Sequence, residues 1–141
     1  MREGITVEKF ARRGEGRLPG LFGLRIVAVE HLMLIAELDI RPELLAPNGF
    51  LHAASVIALA DTACGYGCIA HLPEGADNFT TVELKSKFLG TARDGTLACI
   101  AKPAHLGRTT HVWDATVTRK TDGAAIALFR CTQMILWPKP G

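Results

Sequence analysis

An uninterrupted apolar segment, residues 53 to 70, constrains this chain more than any other feature. It contains no proline, is dense in Ala, Leu, Ile and Val, and follows the turn signal Pro47-Asn48-Gly49. This composition predicts a helix about five turns long. A helix that is apolar on nearly every face has no side suited to water, so we expect a protein core to enclose it. At about 18 residues between hydrophilic loops, it is better explained as a buried helix than as a membrane span.

Asp61 is the residue in this segment that needs an explanation. Burying an isolated carboxylate costs several kcal/mol unless it is paired, hydrogen-bonded or protonated, and the segment contains no cation to pair with it. One interpretation is a satisfied polar group in the core, bonded by Thr62 or by a neighbouring chain. The other is a catalytic base or nucleophile held where the helix meets a substrate pocket.

The length and charge of the chain limit what it can be. Its 141 residues suit one domain, and a formal net charge of +2 is too small to argue for nucleic acid. The N-terminus carries no apolar leader and nothing else indicates a membrane anchor, so the cytoplasm is the expected location. The four cysteines, at positions 64, 68, 99 and 131, form no C-x-x-C motif. We therefore interpret them as small buried apolar residues.

The first half of the chain predicts an arm, a hairpin and the helix. Residues 1 to 20 are polar and glycine-bearing, with one short helical stretch at residues 7 to 12, and we interpret them as an N-terminal arm or lid. The domain proper is predicted to span residues 21 to 141. Residues 24 to 30 and 32 to 40 are apolar and β-branched and predict two strands of a hairpin.

The second half predicts four strands, at residues 80 to 89, 96 to 104, 110 to 119 and 124 to 137. Turn signals stand between them at Asp94-Gly95, His105-Leu-Gly107 and Asp122-Gly123. Alternation in the second and third of these strands leaves one face of the sheet apolar. The pattern predicts a four-stranded meander.

Together these elements predict an α+β fold in which one antiparallel sheet curls around a long central helix. Such a sheet has unpaired edges, which small domains commonly pair with a second copy. We therefore expect a homo-oligomer, either a dimer or a dimer of dimers (a homotetramer).

The order of elements and the string around Asp61 resemble the hotdog-fold acyl-CoA thioesterases, in particular the phenylacetic-acid-degradation and 4-hydroxybenzoyl-CoA thioesterase families. In those families a Gly and then His-Gly-Gly precede the helix, and a catalytic Asp or Glu follows nine residues after the His. Gly49, His52 and Asp61 match in type and spacing. Lys87-Phe88-Leu89 is similar to the family's aromatic-Leu segment, and Gly107-Arg108-Thr109 to its Gly-basic-Thr turn.

The resemblance implies an enzyme that hydrolyses the thioester of a small or medium acyl- or aryl-CoA, with coenzyme A as part of the substrate and no cofactor or metal. Asp61 would be base or nucleophile, and the N–H groups at Ala53 and Ala54 at the helix N-terminus would hold the oxyanion, that of Ala53 coming from the other chain. His52 is either an acid or base or a helix cap, and we favour the cap. By analogy Thr81 and Thr80 hold water or the leaving thiolate, although β-propensity explains them equally well. The remaining expected substrate contacts are Asn48, Gly49, Lys87, Phe88, Leu89 and Arg108.

Two alternatives stay open. The family's two glycines after the His are Ala53 and Ala54 here, which makes a non-catalytic acyl-CoA-binding hotdog module conceivable. A hotdog enoyl-CoA hydratase is the weaker alternative, because its signature needs a His about five residues after the Asp and position 66 is Tyr.

Overall fold

The computed structural model describes all residues from Met1 to Gly141 and contains three α-helices and six strands. The helices are α1 (Val7–Gly14), α2 (Leu18–Phe22) and α3 (Ala53–Ala70), with a short 3₁₀ turn at Pro42–Leu44. The strands are β1 (Arg25–Glu30), β2 (Met33–Asp39), β3 (Asn78–Phe88), β4 (Thr96–Leu106), β5 (Thr110–Arg119) and β6 (Ala125–Leu136). The predicted central helix, hairpin and four later strands are all present, and the short helical stretch in the arm is α1.

The helix α3 lies across the concave face of a single six-stranded antiparallel sheet and packs mainly on β2, β4 and β5. It is long and apolar enough to cross a membrane, but most of it is buried inside this fold. All four cysteines are free and buried, as predicted.

Two glycines let aromatic rings approach the backbone of α3. A Cβ on Gly67 would lie 2.5 Å from the ring of Trp113, which is fully buried on β5, and one on Gly65 would lie 3.0 Å from the ring of Phe79 on β3. Glycine inside a helix costs about 1 kcal/mol relative to alanine. The close packing of helix on sheet at these two points is what offsets that cost.

The predicted four-stranded meander is wrong, because the strand order is β1-β2-β4-β5-β6-β3. β3 pairs with β6 at the edge of the sheet rather than with β4. Residues 89 to 95 are too many for a tight hairpin loop, and extended they can span the roughly 14 Å from β3 past two strands to β4. They are held at the sheet end by the Leu89 N–H, which donates to Ile126 O at 2.8 Å. Asp94-Gly95 therefore leads into β4 instead of closing a hairpin.

The N-terminal segment is packed against the helix and sheet. Phe10 on α1 is only 3% exposed and stacks on Tyr66 of α3, with ring centres 4.7 Å apart. Arg2 donates hydrogen bonds to the carbonyl oxygens of Leu72, Pro73 and Ala76 in the loop after α3. The Phe10–Tyr66 contact places α1 beside the C-terminal half of α3.

Candidate active site

Asp61 stands in the middle of α3 on the side turned away from the sheet. The residue is half-buried, and its Oδ1 atom is fully buried with no hydrogen-bond partner. No Lys, Arg or His forms an ion pair with it. Burial raises the pKa of this carboxyl above its ordinary value. An ionised carboxylate without a partner is costly inside a fold, and it is also a better base than a solvated one.

Asp61 faces a cavity of about 320 Å³ between α3, the start of β3 and the N-terminal helices. The other lining residues are Arg13, Pro19, Thr62, Gly65, Tyr66, Ile69, Asn78 and Phe79. The cavity joins the carboxylate to a mixture of aromatic, aliphatic and hydrogen-bonding side chains. The cavity is open to solvent, so a ligand can reach the carboxylate from outside.

The helix N-terminus is capped by His52, the role that the sequence favoured for it. His52 has extended backbone angles, and its Nδ1 accepts a hydrogen bond from the Ala54 N–H at 2.9 Å. Its carbonyl oxygen accepts from the Ser55 N–H at 3.0 Å. A cap of this kind satisfies donors that the helix itself cannot.

Only one of the two amides expected to hold the oxyanion is free in the structure. The Ala54 N–H is bonded to His52, whereas the Ala53 N–H has no partner in the chain. Ala53 is also exposed to solvent. One amide, together with the positive end of the helix dipole, is therefore available to a ligand at this point.

A tight turn precedes the helix and holds two of the predicted contact residues. The Phe50 N–H donates to Asn48 Oδ1 at 3.1 Å, and Gly49 has φ +85°, a conformation that favours glycine. Asn48 and Gly49 thus shape the turn. The guanidinium of Arg93 lies 4.1 Å from the ring centre of Phe50, which places a cation close to the helix N-terminus.

The predicted contacts on β3 are divided between the two faces of the sheet. Thr81 pairs with buried Gln133 and Phe88 with buried Ala127, so both lie on the helix side. Thr80 and Lys87 pair with exposed Met134 and Leu128 and lie on the outer side. Leu89 is exposed beyond the strand end. The β3 residues that reach the Asp61 cavity are Asn78 and Phe79, neither of which was predicted from the sequence as a contact.

Arg108 lies at the far end of the molecule from the Ala53 amide. Its guanidinium stacks 4.2 Å from the ring centre of Trp137, and its carbonyl oxygen accepts from Trp137 Nε1 at 3.1 Å. Trp137 in turn lies 3.6 Å from where a Cβ on Gly75 would stand, in the loop after α3, and α3 is about 27 Å long. Within one chain, Arg108 and Arg93 therefore mark opposite ends of the helix.

No group of three or more His, Cys, Asp or Glu side chains is arranged to hold a metal ion. His111 is buried and its Nδ1 lies 3.3 Å from Cys68 Sγ. Burial, with a smaller effect from His71 and His105, lowers the pKa of His111 to about 4. This histidine is therefore neutral at neutral pH.

Comparison with known proteins identifies the family. The model of the thioesterase superfamily matches residues 48–126, more than half of the chain and the part that contains Asp61, α3 and the strands β3, β4 and β5. The chain belongs to the thioesterase superfamily. It is a thioester hydrolase, as the resemblance implied.

Curated relatives of this thioesterase span most of its length. It is 26% identical over 110 residues to a 1,4-dihydroxy-2-naphthoyl-CoA hydrolase of Listeria monocytogenes, covering 78% of this chain and 88% of the relative. It is 29% identical over 112 residues to the protein of the same name in Escherichia coli, covering 77% and 79%.

Solved structures confirm the hotdog fold of the thioesterase. A mutant thioesterase from Pseudomonas aeruginosa superimposes with a TM-score of 0.90 at 25% identity, covering 96% of each chain. The PaaI protein of the phenylacetic acid degradation operon of E. coli gives a TM-score of 0.80 at 21% identity, covering 91% of this chain and 90% of that one, and supports the fold alone.

Proposed function

We propose that this thioesterase hydrolyses acyl-CoA thioesters with small or medium acyl or aryl groups, and that Asp61 is its principal catalytic residue. The observation that carries the proposal is the Asp61 carboxylate itself, with a buried oxygen that bonds to nothing in the chain and a cavity in front of it. Unpaired buried carboxylates are costly, and their cost is commonly explained by function.

Asp61 would act at the thioester carbonyl carbon in one of two ways. It removes a proton from water as the water oxygen attacks that carbon, or its own oxygen attacks and water later cleaves the resulting anhydride. In both routes the carbon–sulfur bond breaks and the coenzyme A thiolate leaves and takes up a proton. The desolvated carboxylate is suited to either role, because burial favours transfer of a proton to it.

The Ala53 N–H is our candidate for stabilising the oxyanion. It is the free amide at the N-terminus of α3, and a developing negative charge there is stabilised by both the amide and the helix dipole. Asp61 follows eight residues later, about 12 Å along the helix axis. One carbonyl carbon cannot be in contact with both groups of one chain, so we propose that the amide and the carboxylate at each site come from two chains.

A homo-oligomer is therefore part of the proposal. β3 is an edge strand with one neighbour, and its length is exposed, including apolar residues such as Val82, 54% exposed, and Leu84, 40% exposed. An open apolar edge of this kind is suited to pairing with a second copy. Dimer and homotetramer both satisfy the requirement for two chains.

Coenzyme A as the thiol carrier is supported by the names of the relatives, which are hydrolases of a CoA thioester. Its phosphates need local positive charge. Arg93 lies beside the helix N-terminus and Arg108 in the β4–β5 turn, and we propose both as contacts, each positioned on an aromatic ring. We propose no cofactor or metal, and the cytoplasm as the location.

One observation favours a second candidate, a non-catalytic acyl-CoA-binding module. The side chains of Ala53 and Ala54 stand exposed where the resembling families have glycines, so their methyl groups occupy space along the path to the helix N-terminus. The same experiment separates the two candidates.

The test is release of thiol from a panel of acyl-CoAs, including short, medium, branched, phenylacetyl and hydroxybenzoyl members. Wild type is compared with Asp61→Ala and Asp61→Asn, and with Asp77→Asn, which removes an exposed loop carboxylate, as the matched control. We expect at least one substrate to be hydrolysed, about a hundredfold or greater loss in both Asp61 variants, and no loss in the control.

Two results would contradict the proposal. Hydrolysis by the Asp61 variants at the wild-type rate would exclude Asp61 as the catalytic residue. Tight binding of an acyl-CoA without hydrolysis by wild type would favour the binding module.

A further inference from the structure

The C-terminal end of α3 carries a histidine whose two ring nitrogens are both hydrogen-bonded. His71 is buried, and its Nδ1 donates to Gly67 O at 2.8 Å, while its Nε2 accepts from the Leu32 N–H at 2.9 Å. A carbonyl oxygen can only accept and a backbone N–H can only donate, so the ring is neutral and carries its proton on Nδ1. The two bonds therefore fix both the tautomer and the charge of His71.

The bond to Leu32 holds the β1–β2 turn in an unusual conformation. His31 and Leu32 form a two-residue turn between the paired strand ends Glu30 and Met33. Leu32 has φ +61° and is the only non-glycine residue with a positive φ. A residue with a side chain is strained in this region, and the conformation persists only where its surroundings hold it. The imidazole of His71 supplies a hydrogen bond that does so.

The N-terminal segment, residues 1 to 6, is fastened to the same end of α3. The Arg2 N–H donates to Ala70 O at 2.8 Å, and the Arg2 guanidinium bonds to carbonyl oxygens of the following loop. Arg2, His31 and His71 also line one open cavity of about 740 Å³, in which the rings of His31 and His71 lie 5.8 Å apart. The turn, the N-terminal segment and the helix end therefore meet at one histidine.

The ionisable groups around His71 are mostly bases. From the N-terminal segment, the β1–β2 turn, β5 and β4 in turn, they are the Met1 amino group and Arg2, His31, His111 and, beyond it, His105. The carboxylates are Glu3 and Glu74, both exposed, and neither forms an ion pair with His71. On α3 itself, burial raises the pKa of Cys68 to about 12, so this thiol stays neutral. A proton added to His71 would be buried among cations.

We propose that His71 is an acid-sensitive latch: protonation of Nε2 releases the β1–β2 turn and the N-terminal segment from the C-terminal end of α3. The added N–H points at the Leu32 N–H, so an acceptor becomes a second donor and the hydrogen bond is lost. The new charge repels Arg2 and His31, and water solvates the imidazolium once these groups move apart. The released segment continues into α1, which lines the Asp61 cavity.

The direction of the pH dependence follows from the burial of the ring. Burial lowers the pKa of His71 in the closed form below its ordinary value of 6.5, although the bond to the Gly67 carbonyl acts in the opposite direction. In the open form the ring is solvated and titrates near about 6.5. As the pH falls below that value, the open form binds a proton that the closed form does not. Opening then becomes more favourable, by at most about tenfold for each pH unit.

The test is amide hydrogen exchange of the full chain, measured by NMR and divided by the intrinsic rate at each pH. The amides of Leu32 and Arg2 report the two contacts. From about pH 7.5 to 5, protection of both should fall roughly five- to thirtyfold in wild type. His71→Gln carries an acceptor and a donor but cannot ionise, so its protection should change less than about twofold. His105→Gln removes an exposed histidine of β4 and, as the matched control, should respond like wild type.

The ring ¹⁵N shifts of His71 in wild type provide a readout that needs no variant. They should show the Nδ1-protonated neutral ring at neutral pH and the imidazolium on acidification, in step with the loss of protection at Leu32. A ring that stays neutral while Leu32 loses protection would overturn the latch, even if His71→Gln does not fold.

Four exchange results would also overturn the proposal. They are protection of Leu32 and Arg2 that does not depend on pH in wild type, the wild-type response in His71→Gln, loss of the response in His105→Gln, and loss at Leu32 with Arg2 unchanged. The amide of Val117, in the core of β5, is the reference for unfolding of the whole domain. An equal loss of protection there would replace the local latch by global unfolding.

Discussion

Polar groups on one face of α3 have hydrogen-bond partners, whereas those on the other face lack them. Toward the sheet, Ser55 Oγ donates to Leu44 O at 2.8 Å, and Cys68 Sγ lies 3.3 Å from His111 Nδ1. Toward the cavity, the buried oxygen of Asp61 has no partner. The amide of Ala53, at the exposed start of the helix, has none either. The helix thus has a packed face and an open face, with its one charged side chain on the open face.

This difference between the faces shows that the fold buries a charged group without a partner only at Asp61. Buried atoms without partners also occur on the strands, at His111, Trp113 and Gln133, but those groups are neutral. An ionised carboxylate is far more expensive to desolvate than a neutral amide or imidazole. Asp61 is therefore the group whose position is best explained by chemistry rather than by packing.

Removing the Ala53 N–H should have the largest effect on the open face. Ala53→Pro deletes that donor and little else, because proline is well tolerated at the first helical position and His52 already has the extended backbone that precedes proline. We expect about a 100- to 1,000-fold loss in kcat with an unchanged fold. Ala53→Gly keeps the N–H and should keep the activity. Full activity of the proline variant in a thiol-release assay would exclude the amide as the oxyanion donor.

The same variant tests whether two chains share each site. Ala53→Pro and Asp61→Asn are each expected to be inactive, but a mixed dimer contains one site with both an intact amide and an intact carboxylate. Co-refolding the two variants should therefore restore activity that neither shows alone. No restoration, with mixed dimers demonstrated by tagged subunits, would place amide and carboxylate of each site in one chain.

Substitutions on the packed face of α3 should change the stability of the fold and not the rate of catalysis. Gly67→Ala places a methyl group 2.5 Å from the buried Trp113 ring, and overpacking of this kind should destabilise the fold by about 2 kcal/mol or more. Gly65→Ala is the matched control, since its 3.0 Å contact is with Phe79, which is only partly buried, and the helix gains about 1 kcal/mol of propensity from alanine. Denaturant unfolding measures both. A Gly67 variant as stable as the Gly65 variant would show that the Trp113 ring moves freely.

His52 precedes α3, and its substitution tests whether the side chain only caps the helix or also takes part in catalysis. His52→Ala loses the bond to the Ala54 N–H and should cost about 1 kcal/mol of stability. Asn is a good N-cap, so His52→Asn should retain both stability and activity within a few-fold. If His52→Asn is as stable as wild type yet loses activity about a hundredfold, the imidazole takes part in the chemistry.

Local patterns were sufficient to predict most of the fold. The apolar helix, the strands and the β5–β6 hairpin at Asp122-Gly123 are set by periodicity and turn chemistry, which act over a few residues. The position of β3 was not predictable in that way. Its pairing with β6 depends on which strands meet across the sheet, and the Asp94-Gly95 signal describes a turn without saying which strands it joins.

The candidate site was predictable only in part, for the same reason. Asp61 is conspicuous in the sequence because its neighbours are apolar, and the cap at His52 follows from its place before the helix. Arg13 and Asn78 carry no such signal, since they reach the cavity only through the packing of α1 on α3 and the start of β3 beside it. The occupied amide at Ala54 depends on which way the His52 ring points, which the sequence does not contain.

The smallest effect we predict is on the pH dependence of stability, and it tests the open face most directly. Burial raises the pKa of Asp61 in the folded protein above its value in the unfolded chain. Below the pKa of Asp61 in the unfolded chain, the carboxyl is protonated in both states and does not lower the stability. As the pH rises through the folded-state pKa, stability falls, because the carboxylate is better solvated in the unfolded chain.

Asp61→Asn cannot ionise and should escape this loss. Its Tm should exceed that of wild type at neutral pH by on the order of a few °C, and the difference should vanish toward about pH 3. Thermal unfolding of both proteins across that range measures it, with Asp77→Asn expected to follow wild type. A less stable Asp61→Asn at neutral pH would mean that the ionised carboxylate has a stabilising partner, such as a donor from a second chain. The desolvation free energy of the Asp61 carboxylate would then be offset by a hydrogen bond formed when two chains assemble.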